Sequence, residues 1–356
     1  MTTLRWADID LRAVRDNAAL ILAHVPKGTR LIAVVKANGY GHGAVPVARA
    51  AINGGATWLA VATLEEAREV AGLVHSERIL VMGGLVPAQA PAAAAGGFSI
   101  GVSSFDLARA LGDGDEVVPV HLKIDTGMGR FGTAPDEAAS LSRFIEESPG
   151  LQLAGTWTHF ASAGTDEVMT RVQYDRFLEA LGRLGVDPGL RHACNSAAAF
   201  RYPEMALDAV RAGIALYGCE WPGATPALAL RSVVTHVKTV AAGDTVGYGA
   251  TWAAAVKSRI ATVAIGYADG VFRSRANRGH VLVRGRQAPL IGAVSMDAIT
   301  VDVTGVPGVE LGDVVTIIGA DGDARITAEE VAGWSGTISY EVLTAIGPRV
   351  KRRYSE

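Results

Sequence analysis

Residues 30–36 read RLIAVVK, and residues 37–43 continue as ANGYGHG. The first stretch is a short apolar run of the kind that forms a buried strand, and the second is a glycine-rich loop. We therefore expect Lys36 at the C-terminal end of a strand. Burial there lowers the pKa of an amine and favours a neutral nucleophile, but a lone lysine in this position more often simply leaves the core.

Gly39, Gly41 and Gly43 also invite comparison with a loop that binds dinucleotide phosphates. Their G-x-G-x-G spacing differs from the G-x-G-x-x-G fingerprint, and the acidic residues Glu65 and Glu66 lie beyond the expected position of the ribose-binding carboxylate. The pattern therefore fits a dinucleotide site poorly.

Short apolar runs alternate with alanine-rich segments of helical periodicity from about residue 10 to about residue 225. The predicted strands are Arg30–Lys36, Trp58–Ala62, Ile79–Met82, Phe98–Val102, Val117–Ile124, Leu151–Thr158, Arg191–Cys194 and Ala209–Ala212. Predicted helices between them include Val14–Ala23, Leu64–Ala71, Phe105–Leu111, Asp136–Glu147 and Met169–Leu184. Eight strands close a (β/α)8 TIM-type barrel, but the same alternation also fits an open doubly wound sheet.

A proline- and glycine-rich stretch, WPGATP at 221–226, marks a change of pattern. The strands predicted after it are Leu230–Val240, Ile260–Ile265, His280–Val283, Ala298–Val303 and Val314–Ile318, and short helices are predicted from Thr327–Trp334 onward. We expect an α/β barrel over residues 1–225 and a mostly-β C-terminal domain over residues 226–356. Two domains agree with a length beyond the ~250–300 residues of a single core.

The composition limits the classes of partner. The 356 residues carry a formal net charge of -3, so we expect neither a nucleic-acid surface nor a membrane surface. The two cysteines, Cys194 and Cys219, fit a reducing compartment and not a disulfide scaffold. The first residues lack the pattern of a signal peptide. The expectation is a cytoplasmic protein with a small-molecule ligand and no metal site.

The segment VVKANGYGHGA at 34–44 resembles the attachment motif for pyridoxal phosphate (PLP) of the alanine racemases. Eight further segments are similar to motifs of that family, in the same order: KIDTGMGRFG (123–132), THFASA (158–163), CNSAA (194–198), VRAGIALYG (210–218), VGYGATW (246–252), IGYADG (265–270), VSMDAITVDV (294–303) and ISYEVLTAIGPRV (338–350). The resemblance implies a (β/α)8 barrel with a C-terminal β domain, and a homodimer with shared active sites. It also implies interconversion of L- and D-alanine, which supplies D-alanine for peptidoglycan.

The resemblance assigns several residues to PLP. Lys36 would attach the cofactor, and the other expected contacts are Tyr40, His159, Ser196, Arg211, Gly213, Ile214 and Tyr340. Ser196, Gly213 and Ile214 fall in the last two βα loops, where barrels commonly bind phosphate, although Ser196 also suits a helix N-cap. Arg211 would face the ring nitrogen. Because a guanidinium cannot accept a proton there, the nitrogen would stay neutral.

Racemisation removes the α-proton from one face of the substrate and returns a proton to the other, which two opposed bases suit best. The resemblance gives Lys36 the D-face and gives Tyr248, from a second subunit, the L-face. A tyrosine has an ordinary pKa near ~10, so it needs help to act as a base. His159 and Arg211 would form a hydrogen-bonded chain whose positive character favours the phenolate.

The carboxylate of the substrate needs hydrogen-bond donors. Arg130 supplies a planar fork, and the backbone N–H of Met296 from the second subunit is the other contact in the family. Lys123 matches a lysine that is often carbamylated in the family and that braces this arginine. Tyr267 and Asp297 match residues at the substrate entrance.

Ser295, Trp252 and Lys351 depart from the better-known members of the family, but none is a catalytic position. Three alternatives compete with this interpretation. A fold-related decarboxylase would use a cysteine and acidic groups near the ring, and a broader-specificity racemase is typically exported; neither feature is seen in this sequence. The pocket walls that separate alanine from serine cannot be located from the sequence, so the preference for alanine is implied by the resemblance. A non-catalytic PLP-binding barrel would lack the C-terminal β domain.

Overall fold

The structure, a computed structural model, describes residues 3–356. Its strands are β1 (Arg5–Asp10), β2 (Arg30–Val34), β3 (Trp58–Val61), β4 (Ile79–Val81), β5 (Ser99–Val102), β6 (Val118–Lys123), β7 (Leu151–Trp157), β8 (Leu190–His192), β9 (Ala209–Ala212), β10 (Leu228–Val240), β11 (Thr245–Val246), β12 (Trp252–Ala253), β13 (Ser258–Val263), β14 (His280–Val283), β15 (Arg286–Ile291), β16 (Ile299–Asp302), β17 (Val314–Asp321), β18 (Ala324–Ile326) and β19 (Lys351–Ser355).

The helices, in chain order, are Leu11–His24, Ala44–Asn53, Leu64–Glu69, Ala90–Ala94, Phe105–Gly112, Ala138–Glu147, Glu167–Arg183, Ser196–Arg201, Ala328–Ser335 and Ser339–Thr344. Within residues 3–356, none of them is both long enough and apolar enough to cross a bilayer. The short 3-10 turns are Ser76–Arg78, Pro87–Gln89, Pro203–Met205, Ile214–Tyr217, Tyr248–Ala250, Tyr267–Asp269 and Arg273–Arg275.

Strands β2 to β9 form a closed parallel barrel. The barrel closes where β2 pairs with β9, with Ile32 opposite Arg211. The predicted (β/α)8 barrel is confirmed, and the open doubly wound sheet is excluded because such a sheet keeps two free edges. Each barrel strand begins and ends within two residues of its predicted bounds.

The chain divides into two compact units. One unit holds the barrel and comprises Val14–Gly39 and Ala44–Thr225. The other comprises the stretch up to Ala13, Tyr40–Gly43 and Pro226–Glu356. The first strand and the segment Tyr40–Gly43 therefore lie in this second unit, although the sequence analysis placed both within residues 1–225.

The second unit is built on a nine-stranded sheet in the order β18-β17-β14-β15-β16-β13-β10-β1-β19. Its segment Tyr40–Gly43 is fastened by Arg352, whose Nε donates to the carbonyl oxygen of Gly41 at 2.9 Å. The other guanidinium nitrogens of Arg352 donate to carbonyls near the C-terminus, namely those of Ile346, Gly347 and Val350. Gly41 has φ +81°, and a Cβ there would collide with the carbonyl oxygen of Leu343. Only glycine fits this contact.

Asp269 is the buried ionic centre of the second unit, because its side chain is fully buried between two arginines. Arg5 and Arg349 each donate two hydrogen bonds to its carboxylate, at 2.9–3.1 Å. Burial alone raises the pKa of Asp269. The hydrogen bonds from Arg349, from the Gly266 N–H and from Arg5 outweigh it and hold the pKa below its ordinary value.

We predict that Asp269→Asn lowers the free energy of unfolding by about 3 kcal/mol, because the change leaves two arginines without their buried counter-charge. The folded pKa is depressed, so this stabilisation is present above the unfolded pKa of ~3.9 and is lost as pH falls through the folded value. Denaturant unfolding followed by circular dichroism at pH 7 and below pH 4 measures both effects.

The matched control is Asp106→Asn, which removes an exposed ion pair with Arg109 on a barrel helix. Because solvent screens that pair, its loss changes the free energy of unfolding by less than ~1 kcal/mol. Equal effects of the two substitutions would contradict the account of Asp269.

Candidate active site

Lys36 lies two residues beyond the end of β2, and not within the strand as the sequence indicated. The chain there makes a left-handed turn, in which Ala37, Asn38 and Gly39 have φ of 51°, 53° and 59°. Each non-glycine residue in this conformation costs ~1–2 kcal/mol. Such strain persists only where the surrounding structure enforces it, which is common at functional sites.

Two side chains enforce this turn. The carboxylate of Glu66 accepts a hydrogen bond from the Ala37 N–H at 2.7 Å, and the Asn38 side-chain oxygen accepts one from the Ala44 N–H at 3.1 Å. Glu66 also closes a capping box with Thr63. The sequence analysis considered Glu66 only as an unsuitable ribose ligand. The Thr-x-x-Glu spacing before a helix was the signal that could have identified it.

The amine of Lys36 is half-buried. Burial lowers its pKa, the Arg130 guanidinium lowers it further, and the Glu66 carboxylate partly opposes both. A larger fraction of the amine is therefore neutral than for an exposed lysine, as attack on a carbonyl carbon requires.

Arg211 lies in β9 with 3% of its surface exposed. Its Nη1 donates to His192 Nδ1 and to the His192 carbonyl, both at 2.9 Å. Its Nη2 donates to the carbonyls of Thr158 (2.7 Å) and Ala193 (2.9 Å) and to His159 Nδ1 (3.2 Å). All five acceptors are neutral groups. Burial lowers the pKa of Arg211 to about 10, so the guanidinium keeps its charge at neutral pH.

His159 carries its proton on Nε2, because Arg211 can only donate and Nδ1 must accept. Burial and then Arg211 lower the pKa of His159 well below its ordinary value. The sequence analysis expected positive character from both members of this chain. The structure corrects that expectation, since the charge resides on Arg211 and His159 is neutral.

Ser196 follows β8 and begins the helix Ser196–Arg201, whose N-cap is Asn195 and not Ser196. The Ser196 hydroxyl oxygen accepts from the N–H of Gly213 (3.0 Å) and of Ala215 (3.4 Å). With both lone pairs engaged, its remaining capacity is that of a donor. Ile214 begins a short helical turn, where N–H groups lack intrahelical acceptors. These groups suit a phosphate.

Tyr40 and Tyr340 both lie in the second unit, with ring centroids 6.0 Å apart. Burial raises the pKa of Tyr40 to about 12, so this phenol keeps its proton and remains a hydrogen-bond donor. Two neighbouring phenols match the pair that the sequence analysis assigned to the phosphate.

Lys123 ends β6 inside the barrel with 1% of its surface exposed. Among the described residues its Nζ has no hydrogen-bond partner, and it lies 3.2 Å from the centroid of the Phe131 ring. Burial and the charges of Arg130 and Arg211 lower the pKa of Lys123 to about 7, with Asp125 opposing them. A buried amine of this kind is poorly satisfied and readily loses its proton.

Arg130 is an exposed residue of the loop after β6. Its guanidinium carbon lies 5.2 Å from the centroid of the Phe131 ring, the same ring that Lys123 contacts. Asp125 holds the loop, because its carboxylate accepts from the N–H groups of Gly127, Met128 and Gly129. The sequence analysis overlooked Asp125. An aspartate followed by TGMG is a turn signal that could have indicated its role.

Tyr248, Tyr267 and Met296 lie on loops of the second unit and are 72%, 43% and 51% exposed. The loops adjoin, since the Tyr267 N–H donates to the Ser295 carbonyl at 3.0 Å. A Cβ on Gly247, which precedes Tyr248, would lie 3.0 Å from the Ala293 nitrogen. The three large side chains therefore occupy one group of loops.

Asp297 follows Met296 and pairs with Arg349 at 2.7 Å. Arg349 also binds Asp269, so this ion pair ties the Met296 loop to the buried ionic centre of the unit. The position expected at the substrate entrance thus has an identified structural role.

The barrel residues fit PLP by the chemistry of their donors. The amine of Lys36, with its lowered pKa, suits the aldehyde, and the donors around Ser196 suit the phosphate. The charged donor Arg211 suits a ring nitrogen that is not protonated.

Comparisons with known proteins agree with this geometry. Sequence profiles described as the alanine racemase N-terminal domain and the alanine racemase C-terminal domain match residues 9–220 and 227–354. The curated alanine racemase of Symbiobacterium thermophilum is 43% identical over 364 residues, covering 98% of this chain and 96% of that one.

Solved structures show the same similarity. The alanine racemase from Bacillus anthracis with bound L-Ala-P has a TM-score of 0.92 and 39% identity, covering 100% of this chain and 96% of that one. The alanine racemase from Bartonella henselae with covalently bound pyridoxal phosphate has a TM-score of 0.90 and 29% identity, covering 99% and 100%. This chain therefore belongs to the alanine racemase family, whose members are PLP-dependent isomerases.

Proposed function

We propose that the protein interconverts L- and D-alanine with PLP attached to Lys36. The observation that carries the proposal is the presence in one barrel unit of Lys36, an amine of lowered pKa just beyond the end of β2, and of Arg211 on the adjacent strand β9, whose five acceptors are all neutral groups. By analogy with the family, this reaction supplies D-alanine for peptidoglycan. The two cysteines are both buried, which is consistent with action in the cytoplasm.

Each cofactor residue has a distinct task. The Ser196 hydroxyl and the backbone N–H of Ile214 bind the phosphate beside Gly213, whose own N–H donates to Ser196. The phenols of Tyr40 and Tyr340 add donors. When bound, PLP supplies a carbon that bonds to amines and a ring that accepts the electron pair left by an α-proton. Arg211 donates to the ring nitrogen without giving up its proton, so the ring accepts electrons only weakly and side reactions are limited.

Two groups move the α-proton. In the D-to-L direction the Lys36 amine takes the α-proton, and the Tyr248 phenol of a second protomer gives a proton to the opposite face. In the L-to-D direction the Tyr248 phenolate takes the α-proton, and the protonated Lys36 amine gives one to its own face. His159 and Arg211 form the polar chain that supports the phenolate. Arg130 and the Met296 N–H of the second protomer bind the substrate carboxylate, while Tyr267 and Asp297 border the entrance.

The proposed homodimer is supported by exposure in the second unit. Tyr248, Tyr267 and Met296 expose large side chains on adjoining loops, as expected of a surface that another protomer covers.

We further propose that Lys123 is carbamylated. Its neutral amine adds to carbon dioxide and releases one proton, and the resulting carboxylate accepts hydrogen bonds from Arg130. The support is that this amine is buried, has no hydrogen-bond partner among the described residues, and has a pKa lowered to about 7.

We predict that Lys36→Ala lowers racemase activity by about 10³-fold or more. We also predict that Tyr248→Phe slows α-deuterium exchange from L-alanine by about 10²-fold and slows exchange from D-alanine less. Circular dichroism and ¹H NMR in deuterium oxide measure the two effects, with L-serine run beside L-alanine. Tyr354→Phe, on an exposed strand, is the control. Equal loss on both faces would contradict the two-base assignment, and faster turnover of serine would favour the broad-specificity alternative.

A mixture of two inactive variants tests whether the site is shared. We expect co-expressed Lys36→Ala and Tyr248→Ala chains to recover about a quarter of the wild-type activity, because about half of the dimers are hybrids and each hybrid has one intact site. Activity no greater than the sum of the separate variants would show that each site is built from one chain.

Carbamylation of Lys123 is expected to depend on pH. With ¹³C-bicarbonate, a carbamate signal should appear in the ¹³C NMR spectrum at pH 8 and weaken below about pH 7, as the amine becomes protonated. Lys123→Met should abolish the signal and raise the KM for alanine through the loss of support for Arg130. A signal that survives in Lys123→Met would refute the assignment.

A further inference from the structure

The interior of the barrel contains an unusual number of polar and charged side chains. TIM barrels are commonly filled with branched apolar side chains. Here His121, Lys123, His192 and Arg211 project into the closed barrel, and none exposes more than 3% of its surface. His121 and Lys123 alternate along β6, so they share a face of that strand. The mechanism above uses Lys123 and Arg211 but gives His121 no task.

The hydrogen bonds determine which ring nitrogen of His192 and which of His121 carries the proton. Arg211 Nη1 can only donate, so His192 Nδ1 must accept, and the proton of neutral His192 resides on Nε2. His192 Nε2 lies 2.9 Å from His121 Nδ1, which must accept in turn. His121 therefore carries its own proton on Nε2.

Both imidazoles are neutral. Burial, followed by the charge of Arg211, lowers the pKa of His121 to about 3 and the pKa of His192 well below its ordinary value. A neutral histidine has two tautomers, and only an external partner decides between them. For His192, the partners are Arg211 on one nitrogen and His121 on the other.

The barrel makes room for His121 at the expense of a side chain on the next strand. The pairing of β6 with β7 shifts register between Val120 and His121, which places Gly155 opposite His121. A Cβ at Gly155 would lie 2.5 Å from His121 Nδ1. A glycine inside a strand often marks such a close approach, and here it leaves Nδ1 accessible to His192.

We propose that His121 is a positioning residue that locks His192 in the Nε2–H tautomer and so preserves an acceptor for Arg211. Arg211 by itself also favours this tautomer. Without the acceptor of His121, however, the Nε2–H of His192 is buried with no partner, and the other tautomer avoids that cost but turns an Nδ1–H toward the N–H of Arg211. Two donors at 2.9 Å repel each other, and the guanidinium must shift.

The effect on the reaction rests on the proposed function, in which Arg211 faces the cofactor ring. Arg211 also donates to His159, so a shift reaches both the ring nitrogen and the chain that supports the second base. Substrate carboxylate binding is assigned to Arg130, on a separate loop. The loss should therefore fall on kcat and leave KM nearly unchanged.

The test compares His121→Leu with His121→Asn. Leucine and asparagine have similar shapes, but only asparagine places an acceptor oxygen near the position of Nδ1. Long-range ¹H–¹⁵N NMR of the ¹⁵N-histidine-labelled holoenzyme distinguishes protonated from bare ring nitrogens, and His192→Gln assigns the signal. We expect Nε2–H at His192 in the wild type and in His121→Asn, and a mixture of tautomers in His121→Leu.

In parallel, kcat should fall about tenfold or more in His121→Leu and recover most of that loss in His121→Asn, with KM within about twofold of the wild type in both. Gly155→Ala is the second test. It keeps both histidines but displaces His121, and it should shift the same NMR signal if His121→Leu fails to fold.

An unchanged His192 tautomer in His121→Leu, or a changed tautomer with unchanged kcat, would overturn the proposal. So would a failure of His121→Asn to restore the tautomer. Failure of the proposed function is separately visible, because the wild type would then show no alanine racemisation while the tautomer measurement still gives its result.

Discussion

The buried guanidinium of Arg211 is the interaction on which the rest of the site depends. Removing a charge from water is costly, and here neutral groups offset that cost: three carbonyls, two imidazole nitrogens and the Trp157 ring, whose centroid lies 4.8 Å from the guanidinium carbon. This arrangement dictates the protonation of its surroundings. His159 and His192 must present bare Nδ1 atoms, and both are held neutral by burial and by Arg211 itself. Under the proposed function, a single fixed positive charge therefore faces the ring nitrogen of PLP, and none of the acceptors of that charge is a carboxylate.

A second constraint is the left-handed turn at Lys36. The unfavourable backbone of Ala37 and Asn38 is stabilised by Glu66 and by the Ala44 N–H, both within the barrel unit. The turn separates the amine from its strand by two residues and leaves it half-buried, where its pKa is lowered. The strained turn and the lowered pKa of the amine have separate causes, because Glu66 stabilises the turn but raises the pKa of Lys36, whereas burial and Arg130 lower it.

The barrel was predictable because its strands are short apolar runs in regular alternation with helices, a pattern set by burial on both faces. The sequence did not reveal β1 or β19, whose partners are distant in the chain and whose residues, RWADID and KRRYS, are largely polar. Strand β15 contains Pro289, which argues locally against a strand. These elements are defined by pairing and not by local preference.

The residues of the candidate site also fall into two groups, those with a local sequence motif and those defined by partners distant in the chain. Residues with a characteristic local motif, such as Lys36 and Arg130, could be identified from the sequence through a resemblance. Glu66 and Asp125 act through hydrogen bonds to backbone N–H groups, and His121 acts through a hydrogen bond to a side chain on another strand of the barrel. A single sequence shows such contacts only weakly. The sequence signal for His121 was its position two residues before Lys123 in a predicted strand, because residues two apart on a strand share a face.

The most direct measurement of the central claim is the location of the cofactor bond. Purified protein loaded with PLP is reduced with borohydride, digested and analysed by mass spectrometry. The account predicts that the reduced adduct lies on the peptide containing Lys36. An adduct on Lys123, the other barrel lysine with a lowered pKa, or the absence of any adduct would contradict it.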